Sequence, residues 1–157
     1  MTASGVVASE AKQSGDWDAP VIVLHSLDHA IAALTAAARA GSRVVLASAP
    51  GAGSYVGPGW FGALVAAARE AVPQARFSAL LDCGDDVGAA LAAIRVGIPA
   101  VVFTGRADIA ARLVDIATQA RAKLVTERPA LALDLGAPFG ADDETARRRC
   151  AEILQSG

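Results

Sequence analysis

Between Pro20 and Arg121 the chain alternates between two textures: short runs of Val, Leu and Ile, and longer Ala-rich stretches with helical spacing. That alternation constrains the fold more than any single motif. Near-continuous apolar runs without polar alternation belong to strands buried on both faces, which is the situation of a parallel sheet covered by helices. The apolar runs 21–24, 43–48, 75–81 and 100–103 are therefore expected to be strands. Helices are expected over 28–40, 59–72, 86–96 and 108–121, with Ser26 or Asp28, and Asp85 or Asp86, as N-terminal caps and Gly41 and Gly97 as stops. A fifth strand falls either at 123–125 or at 131–135, with Arg128-Pro129 between the two candidates. Residues 142–154 read as a closing amphipathic helix with acids at its front and Ala146, Cys150, Ile153 and Leu154 on one face.

The expected fold class is thus α/β, with a parallel (βα)4–5 sheet resembling a partial TIM barrel; a flavodoxin-like doubly wound sheet shares the same alternation. Residues 1–19 read as a flexible N-terminal tail and 20–157 as one α/β domain. At 157 residues the chain is well short of the roughly 250 of a closed eight-unit barrel. Hydrophobic residues make up 54% and aromatics 4%, so the core must be aliphatic and closely packed. The positive mean hydropathy points to apolar surface kept for a homo-oligomer.

A net charge of −2 with dispersed Lys and Arg offers no basic stripe, so nucleic acid is not an expected partner. No apolar run reaches the roughly 18 residues of a membrane span, and residues 1–20 lack the pattern of a signal peptide, so neither a membrane nor export is expected and the localisation read is cytoplasmic. Cys83 and Cys150 are then free thiols. The run Arg147-Arg148-Arg149 reads as a solvated helix face.

In a parallel α/β fold ligands gather where strands end, and Leu81-Asp82-Cys83-Gly84 lies at such an end. The run from Val44 to Gly57, Val-Val-Leu-Ala-Ser-Ala-Pro-Gly-Ala-Gly-Ser-Tyr-Val-Gly, precedes it. Ala93-Ile94-Arg95-Val96-Gly97-Ile98 and Val101-Val102-Phe103-Thr104-Gly105 follow. Taken in order and spacing, residues 28–121 resemble the first half of the class II fructose-bisphosphate aldolases, the metal-dependent TIM-barrel aldolases. The resemblance implies that Asp82 matches the family's catalytic aspartate, which moves protons at the reacting carbonyl. It implies that Cys83 stands where the family has a zinc-binding histidine, and that Asp134, in Asp134-Leu135-Gly136, stands for a metal-binding glutamate. Glu127 is the alternative by distance from the fourth helix. Zinc is the cofactor so implied, with thiolate an acceptable ligand.

A strand-end pocket of this kind would take a small carbonyl or phosphorylated metabolite, using Ser48, Gly51, Gly53, Thr104 and Gly105. The family's further zinc histidines and phosphate loops have no counterpart here, and its loop-two serine aligns with Ala49. A competent aldolase is therefore not expected of this chain alone; as an enzyme it would be a metal-dependent lyase completed by oligomerisation. Asp82 and Cys83 also fit a capping carboxylate beside a small buried hydrophobe. Other readings remain: a receiver-like phospho-signalling domain using Asp82, Thr104 and Lys123, or an assembly module. His25 and His29 flank the end of the first strand and fit a solvated or capping role, or one facing the edge that carries Asp82.

Overall fold

A computed structural model describes residues 18–136 and 142–156. Most of the tail expected over 1–19, up to residue 17, lies outside the described residues. Six parallel strands form one open sheet: β1 (Val21–Val23), β2 (Arg43–Ala47), β3 (Arg76–Asp82), β4 (Ala100–Val102), β5 (Lys123–Val125) and β6 (Leu133–Asp134). Their order is β5-β4-β3-β2-β1-β6. Both candidates for a fifth strand are therefore strands, on opposite edges: β5 pairs with β4, and β6 with β1.

The helices are α1 (Leu27–Ala40), the short α2 (Ala52–Tyr55), α3 (Pro58–Ala71), α4 (Val87–Arg95), α5 (Ala107–Gln119) and α6 (Asp143–Gln155). Only α2 is unforeseen; it lies inside the expected loop 49–58. Local chemistry sets the boundaries. The Ser26 hydroxyl accepts the amide of His29, the Asp86 carboxylate that of Ala89, and the Asp142 carboxylate that of Thr145, each satisfying an otherwise orphaned helix donor. Pro58 starts α3 at the position where a missing N–H costs nothing.

Because side chains alternate along a strand, the sheet has two unlike faces. Ile22, Leu24, Val44, Leu46, Leu81, Val101 and Phe103 form one cluster with apolar residues of all five longer helices, among them Leu34, Phe61, Ile94, Leu113 and Cys150. Val21, Val23, Val45, Ala47, Leu80, Ala100 and Val102 form the other, with no helical residue in it. Phe61 is fully buried, and sequestering such a side chain contributes roughly 1.5–3 kcal/mol. The connection 126–132, which links the two sheet edges, approaches the helix-free face, against which Ala19 and Ala49 also pack. No helix among the described residues is long and apolar enough to cross a membrane.

Candidate functional site

Asp82 ends β3, and its side chain belongs to the helix-free face, alongside Leu80 and Val102. Its residue is 5% exposed, so the carboxylate has to be satisfied by the protein. Oδ1 accepts the amides of Gly51 (3.0 Å) and Gly84 (2.9 Å). Arg128 supplies the charge: its Nε donates to Oδ2 at 2.6 Å and its Nη2 to Oδ1 at 3.1 Å, the forked geometry of a strong carboxylate contact. Hydrogen bonding to Asp82 raises the already high pKa of the guanidinium, outweighing its partial desolvation. Arg128 is half-exposed, which places the pair between an exposed ion pair, worth about 0–1 kcal/mol, and a fully buried one, whose breaking costs about 3–5 kcal/mol.

The backbone around this carboxylate is shaped for it. Gly51 has φ +73°, a left-handed conformation that turns its amide towards Asp82 in the loop after β2. Ser48 is buried, but its hydroxyl is already used: Oγ accepts the Asp82 amide at 2.9 Å and donates to the Ala49 carbonyl at 3.0 Å. It joins the ends of β2 and β3. Gly53 is a close-approach position, since a Cβ there would lie 2.5 Å from Cys83 Sγ. The Thr104 amide donates to the Gly84 carbonyl, and Gly105 leaves room for the Phe103 ring. Of the expected substrate contacts, Ser48 and Gly51 converge on the expected catalytic Asp82, whereas Gly53, Thr104 and Gly105 brace the loops behind them.

A small cleft opens at this end of the sheet. Val23, Ala47, Leu80 and Val102 form its apolar wall; Ser48, Asp82, Arg128, Pro129 and Leu131 complete it. Its volume of about 30 Å³ is room for a single water.

The two expected zinc ligands, Cys83 and Asp134, are not brought together around one metal ion. Cys83 follows Asp82 directly and so points to the opposite side, into the helix-covered cluster, where it is fully buried. Burial first, and then the negative charges of Asp82 and Asp86, push its thiol up to about 12, away from the thiolate that zinc requires. Asp134, on β6, is paired with His25 (Nε2 to Oδ1, 2.8 Å) and accepts the Gly136 amide on the same oxygen. Among the described residues no group of three or more His, Cys, Asp or Glu side chains is placed to hold a metal ion. Cys150, the second thiol, is buried between α6 and its neighbours, and burial raises its pKa to about 11. In the receiver-like alternative, Lys123 would stand near Asp82, but Lys123 opens β5 opposite Ala100, whereas Asp82 is level with Val102.

Two partners were not foreseen from sequence. Arg128 entered only as a separator of strand candidates; an arginine before a proline, in a connection between two strands, was the available signal. His25 joins Asp134 at the ends of neighbouring strands β1 and β6, and its own amide donates to His29 Nδ1 at 3.1 Å. No protein-family model matches the chain, and no curated protein matches it.

Proposed function

We propose that the chain is a domain of class II aldolase type, with a partially curled barrel sheet, that binds a small carbonyl or phosphorylated metabolite at its strand ends and is not a competent aldolase by itself. The observation that carries the reading is the buried Asp82 carboxylate at the end of β3, forked to Arg128 beside an apolar cleft. Carbonyl chemistry asks for a fixed acid–base group beside an apolar wall, and a phosphate or carbonyl oxygen asks for a positive donor. Asp82 and Arg128 are of these two kinds. Arg128 uses Nε and Nη2 on Asp82, so Nη1 is the donor that an arriving ligand oxygen meets first.

Curling of the sheet is supported by two features. Among the described residues helices pack on one face only, where a doubly wound sheet carries them on both. Residues 126–132 also join opposite edges. Six flat strands at about 4.8 Å span roughly 24 Å, close to the reach of so short a segment at about 3.5 Å per residue, and it still bends in to pair with Asp82. Bringing the edges nearer each other relieves that stretch.

A second copy of the chain is part of the proposal, supported by the open sheet edges and by Tyr55, Val56 and Trp60, which expose apolar surface within one short stretch. Calorimetric titration with dihydroxyacetone phosphate and with glyceraldehyde tests the ligand reading. Binding of at least one is expected, weakened tenfold or more by Arg128→Ala, with no cleavage of fructose bisphosphate in the presence or absence of added zinc. Absence of binding to either compound refutes the site; cleavage by the chain alone refutes the loss of lyase activity.

A further inference from the structure

The strand-end cleft is too small for the ligands just proposed. Ligand pockets are typically several hundred Å³, against about 30 Å³ here. Something must move to admit even a three-carbon compound, and the two sides of the cleft are unequally held. Val23, Ala47, Leu80 and Val102 lie in the ladder of β1 to β4 and are at most 4% exposed. The opposite side is the connection 126–132.

That connection has few ties. Among the described residues, no backbone hydrogen bond is made by 126–131; the ladder resumes only where the Ala132 amide donates to the Val21 carbonyl. Thr126, Glu127, Arg128, Ala130, Leu131 and Ala132 are all exposed, and Leu131 is 53% exposed although it lines the cleft. Among the described residues, the polar side-chain anchor of the segment is Arg128 on Asp82. If Arg128 leaves, Oδ1 of Asp82 keeps the Gly51 and Gly84 amides, and Oδ2, which loses the guanidinium, is uncovered to solvent as the segment moves away. Release therefore costs one forked ion pair and little backbone hydrogen bonding, the profile of a segment that opens locally without unfolding the sheet.

We propose that residues 126–132 are a lid over the strand-end cleft, latched by Arg128 on Asp82, and that a small oxyanion opens it by competing with Asp82 for the guanidinium. Opening uncovers the apolar wall and leaves Arg128 on the lid, with the ligand's oxyanion as its new partner. The lid is a property of the free chain. Its coupling to an oxyanion rests on the ligand reading above.

Hydrogen exchange read by mass spectrometry on the full chain separates the two parts, with inorganic phosphate as the probe and sodium chloride at matched ionic strength as its control. Arg128→Gln is expected to speed exchange across 126–132 by tenfold or more while the amides of β1 to β4 keep their rates. Arg128→Lys, which keeps the charge but loses the fork, is expected to give a smaller rise in the same segment and serves as the reading if the glutamine variant does not fold. Phosphate is expected to speed the same amides in the wild-type chain and to have no further effect in Arg128→Gln. An unchanged rate in the variants, or a rise spread evenly through the molecule, overturns the lid. A lid that responds to Arg128 but not to phosphate overturns the coupling alone. If the lid fails while dihydroxyacetone phosphate still binds, the site stands without its gate.

Discussion

Gly53 and Cys83 meet where α2 passes close to the end of β3, and the contact leaves no slack. A Cβ at position 53 would lie 2.5 Å from Cys83 Sγ, 3.2 Å from the Cys83 Cα and 3.3 Å from the Asp82 carbonyl oxygen. Two of these neighbours are backbone and cannot swing away. Gly53→Ala is expected to destabilise the fold by about 1–3 kcal/mol in urea titration, the usual cost of overpacking. Cys83→Ala removes the nearest atom, so the double variant should lose less than the sum of the two single ones, a coupling that marks direct contact. Additive losses would show that α2 is held elsewhere. Residue by residue, the site was partly legible beforehand. Asp82 could be found because strand ends gather ligands, but Arg128 lies 46 positions away, and no local pattern connects the two. Cys83 lies where its other reading, a small buried hydrophobe, put it; the metal-ligand reading placed it beside Asp82 by adjacency in sequence, and strand alternation puts it on the other face.

Elements with strong local signals came out as expected. α1, α3, α4, α5 and α6 each combine a helical apolar stripe with a starting or stopping residue, and such signals survive without tertiary information. β5 and β6 are three and two residues long, too short for periodicity to choose between them, and pairing across the sheet decided that both exist. Caps also carry a pH dependence. Asp86 is held below its ordinary 3.8 by the Ala89 amide first and by Ser54, and Asp142 below the same value by Thr145. A carboxylate lowered in the folded chain stabilises it above the unfolded pKa, and this contribution disappears as pH falls through the lower, folded one. Asp86→Ala and Asp142→Ala should therefore melt a few degrees below wild type at pH 7, with the difference narrowing as pH falls below the ordinary 3.8. A gap that persists unchanged at pH 2.5, measured by circular dichroism, would assign the loss to helix propensity instead of the charge.

For the whole molecule, the sheet is the frame on which both the cleft and the open edges depend. The proposed second copy predicts a mass above that of one chain in light scattering at micromolar concentration, reduced by Trp60→Asp, which puts a charge into the exposed apolar stretch. A single-chain mass across that range removes the association from the proposal. The α/β character of the sheet was readable from alternation alone, but its strand order was not, because partners distant in sequence leave no local mark. The junction of β6 with β1 also bears on how the chain acquires its structure. His25 and Asp134 meet across 109 positions, and α6 packs on α1 over a comparable separation. Loop-closure entropy makes such contacts the slowest to form. β1 to β4 can assemble unit by unit from neighbours in sequence, so the rate-limiting step of folding should be the docking of β6 and α6 onto the first unit, with β1 waiting as an unpaired edge until they arrive.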